Sequence, residues 1–230
     1  MSVSQRRVLR ATAIAAAALL ATAAAWNLLF QVRIVTPPLP SADNAHYYAW
    51  WRPIEWQTFA IALLAAAGLG GVGVVGLSLR GAAGAVLGIG AIAAMVAQLA
   101  QAGAQHAILA ASTSAIDPGV LGTIGFVADG IVNGVSIGAY AGMALGVVGL
   151  AVSGEDALPG HAAGRLTGAL LGAGLVALSV FSLADPLDLL QPVLGIVGMV
   201  LTPAWLWQVG ASLSASGARA GDRAPVAGAA

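Results

Sequence analysis

The chain has 230 residues, 59% of them hydrophobic and only 8% charged, and its nine basic and nine acidic side chains cancel. A soluble domain carries about 25% charged residues, so this surface has too few ionic groups to face water, and its surroundings are read as lipid. Zero net charge excludes the basic patch that nucleic-acid binding needs, and the absence of cysteine excludes disulfides, thiolate metal sites and cysteine nucleophiles.

A bilayer core of roughly 30 Å takes about 20 apolar residues per helix. Such runs fall near 9–32, 57–79, 82–111, 119–152, 165–184 and 188–213. They predict an all-α transmembrane bundle of six spanning helices, organised as one domain over 1–213. The first run follows Arg6, Arg7 and Arg10 and contains the A-x-A pattern Ala23–Ala25, both features of a secretory signal. Its apolar stretch nevertheless continues through Trp26, Leu28, Leu29 and Phe30 to spanning length, so an uncleaved helix is expected. Residues 33–56 read as an outer loop, with Pro37, Pro38, Pro40 and Pro53 and the aromatic run His46-Tyr47-Tyr48-Ala49-Trp50-Trp51 ahead of Trp56. Trp and Tyr rings favour the headgroup level. The loop is therefore either an anchor on the outer leaflet or a lid over an outward-facing cavity.

The second run contains Gly71-Val72-Gly73-Val74-Val75-Gly76, which satisfies G-x-G-x-x-G. It lies inside a helix with no strand before it, so the dinucleotide-binding context is missing. Arg80-Gly81 separates this run from the third, which carries a polar stripe of Gln98, Gln101, Gln105 and Ser112 with His106 adjacent. Asp117-Pro118 supplies an N-cap and a first-turn proline for the fourth run.

Gly130, Gly134, Gly138, Gly142 and Gly146 recur every four residues along that fourth run. Successive members rotate by about 40° around a 3.6-residue helix, leaving a slowly winding strip on which a neighbour can pack closely. Gly84 with Gly88 on the third run, and Gly164, Gly168 and Gly172 on the fifth, repeat the spacing. The expectation is packing within the chain with the fourth helix central, homodimerisation being the alternative. Beside the strip, Asp129, Asn133, Ser136 and Tyr140 share one helical face. An ionisable group inside a membrane helix is a functional-site hypothesis by default.

A polar segment from Ser153 to Gly164 containing Pro159 leads into the fifth run, and Asp185-Pro186 separates the fifth from the sixth. Asp185 and Asp188 read as caps favouring the positive end of the last helix. The remainder, 214–230, is small and polar, and is expected to be a disordered cytoplasmic tail.

Arginine placement sets the orientation. With six crossings, Arg6, Arg7, Arg10, Arg80, Arg165, Arg219 and Arg223 share one side and only Arg33 and Arg52 lie opposite. Both termini are therefore expected in the cytoplasm of a bacterial plasma membrane. Under that topology Asn27, Gln31, Gln98, Gln101, Gln105, His106, Asp129 and Asn133 share the outer half, with Tyr140 nearer the middle. Two readings follow. The third and fourth helices, about 45 and 51 Å long, exceed the bilayer core, so their outer ends either project into water as a hydrogen-bonded hairpin or enclose a pocket.

Leu158-Pro159-Gly160, Gly164-Arg165-Leu166-Thr167-Gly168 and Thr202-Pro203-Ala204-Trp205-Leu206-Trp207-Gln208-Val209-Gly210 resemble the uncharacterised six-helix bacterial membrane proteins grouped as DUF4386-like. The resemblance covers the C-terminal half and implies the same architecture; that family carries no assigned chemistry. His46, His106 and His161 are too dispersed for a metal site, and no triad or paired-carboxylate spacing suggests an enzyme. No cofactor is expected, and the partners are the bilayer with a membrane protein or a second copy. The leading expectation is a non-enzymatic protein that binds a small or lipidic ligand, or serves as an accessory subunit. Its outward pocket would be built from Asp129, Asn133, Gln101, Gln105, His106 and Tyr140. The competitor is a small proton-coupled secondary transporter with Asp129 as carrier, although no duplicated halves or paired broken helices are visible.

Overall fold

The computed structural model describes residues 2–34, 44–79, 81–114, 116–153, 162–184 and 187–221. Pro37, Pro38, Pro40, Arg80, Pro159, His161, Asp185, Pro186 and 222–230, all singled out above, lie outside the described residues, as do the side chains of Gln31, Arg33, His46, Tyr47, Asp188 and Arg219. The described chain is all-α. Its helices are α1 (Val3–Ile34), α2 (Asn44–Trp51), α3 (Glu55–Ser78), α4 (Ala82–Ala111), α5 (Pro118–Ser153), α6 (Ala162–Ala184), α7 (Leu187–Ile196) and α8 (Thr202–Gly221). A 3₁₀ turn, Arg52–Ile54, joins α2 to α3, and a π turn, Val197–Leu201, joins α7 to α8. Six segments are long and apolar enough to cross a membrane, with α2–α3 and α7–α8 each counting once.

Two expectations are corrected by these bounds. The segment read as a loop over 33–56 is helical from Asn44, because its aromatic residues pack as a short helix against the bundle. The last helix also continues past 213 to Gly221, since Ala215, Ala218, Arg219 and Ala220 are good helix formers.

Side chains satisfy the helix ends. At the start of α1 the Gln5 N–H donates to Ser2 Oγ at 3.2 Å and the Ser2 N–H donates to Gln5 Oε1 at 2.8 Å, a reciprocal capping box. Asp117 caps α5, its Oδ1 accepting from the N–H groups of Gly119 at 2.7 Å and Val120 at 3.3 Å. The last turn of α4 is closed by three successive hydroxyls: Ser112, Thr113 and Ser114 donate to the carbonyls of Leu109, Ala110 and Ala111. Between α3 and α4 the chain reverses through Gly81 at φ 93°, a conformation that favours glycine.

The spans form a closed ring. Each packs on its neighbours in sequence, through the pairs α1–α3, α3–α4, α4–α5 and α5–α6. Then α6 meets α7, the π turn and α8, and α8 returns to α1. The core inside the ring is built from Ala13, Val75, Leu87, Ala91, Leu206 and Val209, all essentially inaccessible. Some backbones approach as closely as glycine allows: a methyl on Gly76 would lie 2.6 Å from the Gly88 nitrogen.

The expectation of a central fourth helix fails. α5 is one stave of the ring, held by α4 and α6, and its glycine strip divides. A methyl on Gly146 would lie 2.5 Å from the Leu87 nitrogen, whereas methyls on Gly130, Gly134 and Gly138 would meet nothing within 4 Å. Winding explains the division: at about 100° per residue, Gly134 is turned about 120° and Gly130 about 160° from the side on which Gly146 meets α4. α5 also outruns α6. α5 has 36 residues and α6 has 23, about 54 Å against about 35 Å. The Ser179 hydroxyl of α6 donates to the Ile137 carbonyl of α5 at 3.2 Å, and α6 ends five residues later at Ala184. The first turns of α5 therefore run beyond α6.

Candidate functional site

The ring encloses a cavity of about 790 Å³ that extends to α2 at one end of the bundle. Every span contributes to it. Its apolar wall comes from Leu20 of α1, Leu69 of α3, Met143 of α5, Leu175 and Leu178 of α6, and Val197 of the π turn. Its polar groups are Asn27, Thr58, Gln98, Gln101, Gln105, Tyr140 and Thr202. Trp50 and Trp51 of α2, with Phe30 of α1, add aromatic surface. None of the described lining residues is charged.

The glutamines reach the cavity because Gln98, Gln101 and Gln105 are spaced by three and four residues, which keeps them on one face of α4. Gln98 of α4 and Tyr140 of α5 both face the cavity. Carboxamides offer both donors and acceptors, so this lining can orient a neutral polar group. Among the described residues the lining holds no carboxylate.

α2 is fixed over this end of the bundle. Tyr48 is buried with Leu109 of α4 and Leu121 of α5, and Trp51, Ile108 and Ala111 pack around them. The Arg52 Nη2 donates to Ser112 Oγ at 2.9 Å. Trp56 meets Trp26 edge to face, with ring centroids 6.2 Å apart.

The residues singled out from sequence separate into two groups. Gln101, Gln105 and Tyr140 line the cavity. Asp129 and Asn133 do not; both are exposed on the projecting part of α5. They share a helical face with Ser136 and Tyr140, of which Ser136 is buried while Asp129 and Asn133 are exposed. His106 also stands outside the cavity. Its Nδ1 pairs with Glu55 Oε1 at 2.5 Å, and its side chain is 66% exposed. The expected single pocket containing all six is therefore corrected to a neutral cavity without the carboxylate and the imidazole. Sequence reading missed Thr58 and Thr202 as lining groups, and set the two tryptophans over a cavity only as one of two alternatives. Asn27 and Gln98 were noticed as polar but not chosen, although Gln98 carried the spacing signal.

No family model, curated protein or solved structure matches this chain.

Proposed function

We propose that this is a multi-pass protein of a bacterial plasma membrane, with both termini in the cytoplasm, that binds an uncharged small or lipidic ligand in the cavity beneath α2. The observation that carries the reading is the lining itself: a chamber of about 790 Å³ walled by all six spans, apolar in its depth and furnished with amides and hydroxyls but no charge among its described residues. Burying an ionised ligand there would cost heavily without a counter-charge. A neutral amphiphile satisfies both halves of the wall, and lipid-exposed flanks give it a local supply. The proton-coupled transporter reading lacks such support, because Asp129 is not among the lining residues.

The test is the lipid that accompanies the protein. Native mass spectrometry of the full chain released from mild detergent is expected to show one neutral lipid per protein, and Gln101→Leu/Gln105→Leu is expected to lose most of it while remaining folded. Identical lipid complements for the parent and the double variant would refute the reading.

A further inference from the structure

The cavity wall formed by the last span is not a regular helix. Between Val197 and Leu201 it widens to a π turn, closed by the Thr202 N–H on the Val197 carbonyl. The next residue, Pro203, has no N–H to give. The Gly198 carbonyl thereby loses both main-chain donors of α and π spacing: the one four residues on serves Val197, and the one five residues on does not exist. Inside a membrane a bare backbone acceptor is tolerated only where protein or a cavity receives it, and π turns gather at functional sites. Gly198 and Thr202, one turn apart, both line the cavity.

An acceptor short of a donor, set in a chamber that is otherwise apolar and amide-lined, selects for a ligand that brings the donor. We propose that the cavity takes a neutral amphiphile whose head group is a hydroxyl, which donates to the Gly198 carbonyl and accepts from the Thr202 hydroxyl. This rests on the ligand-binding function proposed above and names its ligand class. A quinone or an ester could accept from the glutamines but leaves Gly198 unmet. A phosphorylated head needs a cation, and no described lining residue supplies one.

The experiment compares three probes that differ only at the head: farnesol, its methyl ether and its monophosphate, competing for tritiated farnesol on the full chain in nanodiscs. The alcohol is expected to bind about tenfold more tightly than the ether, the scale of one hydrogen bond to an otherwise unmet group, and the phosphate is expected not to compete. Pro203→Ala restores a main-chain N–H and is expected to bring the alcohol down to the level of the ether without moving the ether. Thr202→Val, which keeps the shape of the side chain, is expected to act in the same direction should the proline variant fold poorly. Equal affinities for alcohol and ether in the parent protein would overturn the hydroxyl preference while leaving a ligand cavity in place. Failure of every uncharged probe to bind would instead remove the binding function beneath it.

Discussion

Two glycines with the same sequence spacing occupy opposite surroundings. Gly146 and Gly134 belong to one four-residue series, yet a methyl on Gly146 would press on the backbone of α4 at 2.5 Å and one on Gly134 would meet open space. Gly146→Ala is therefore expected to destabilise the detergent-solubilised protein by about 1–3 kcal/mol through overpacking. Gly134→Ala should be neutral, or stabilising by up to about 1 kcal/mol through helix propensity. Thermal unfolding of both variants decides this. A Gly134→Ala penalty as large as that at Gly146 would mean that a partner or a second copy covers the strip in the membrane. The spacing puts the two positions about 120° apart around the helix, but it does not say which side of the winding strip a neighbour covers. The face of Asp129 was likewise legible from its spacing, and its exposure outside the cavity was not. Local chemistry was clearer where donor and acceptor lie close in sequence. The Asp117 cap was legible from Asp117-Pro118, while the Ser2–Gln5 box passed unnoticed beside the stronger arginine pattern.

At the level of elements, the six apolar runs match the spanning segments closely because a run of about 20 apolar residues has few alternatives. α2 was illegible for the opposite reason. It has eight residues, too few to establish a helical period, and its helical form depends on Tyr48 being buried against Leu109 and Leu121, residues more than sixty positions away. Trp50 and Trp51 line the cavity from this element. Trp50→Ala/Trp51→Ala is expected to speed release of a bound neutral amphiphile by about tenfold or more, since large aromatic surfaces dominate such contacts. A release rate unchanged from the parent would show that α2 anchors the bundle without closing it. The π turn was equally hidden. Pro203 is visible in the sequence, but which carbonyl it strands depends on whether the preceding turn is α or π, and only the hydrogen bond from Thr202 to Val197 decides that.

For the molecule as a whole, the absence of cysteine makes orientation directly measurable. Ser114→Cys, at the α2 end of the bundle, is expected to react with a membrane-impermeant maleimide on intact cells, and Ser2→Cys, at the opposite end, only after permeabilisation. The reverse pattern would invert the proposed topology and place the α2 end of the cavity on the cytoplasmic side. The contact between α1 and α8, where Gly210 faces Ile14 and Gly198 faces Ala24, has a bearing on biogenesis. The first of the six described spans rests against the sixth, so its seam stays open during synthesis until α8 has been made. Until then the inserted chain is a horseshoe, each arm seated on the preceding one but with no chamber at its middle. A nascent protein arrested before α7 would retain most of its helix pairs and still hold nothing.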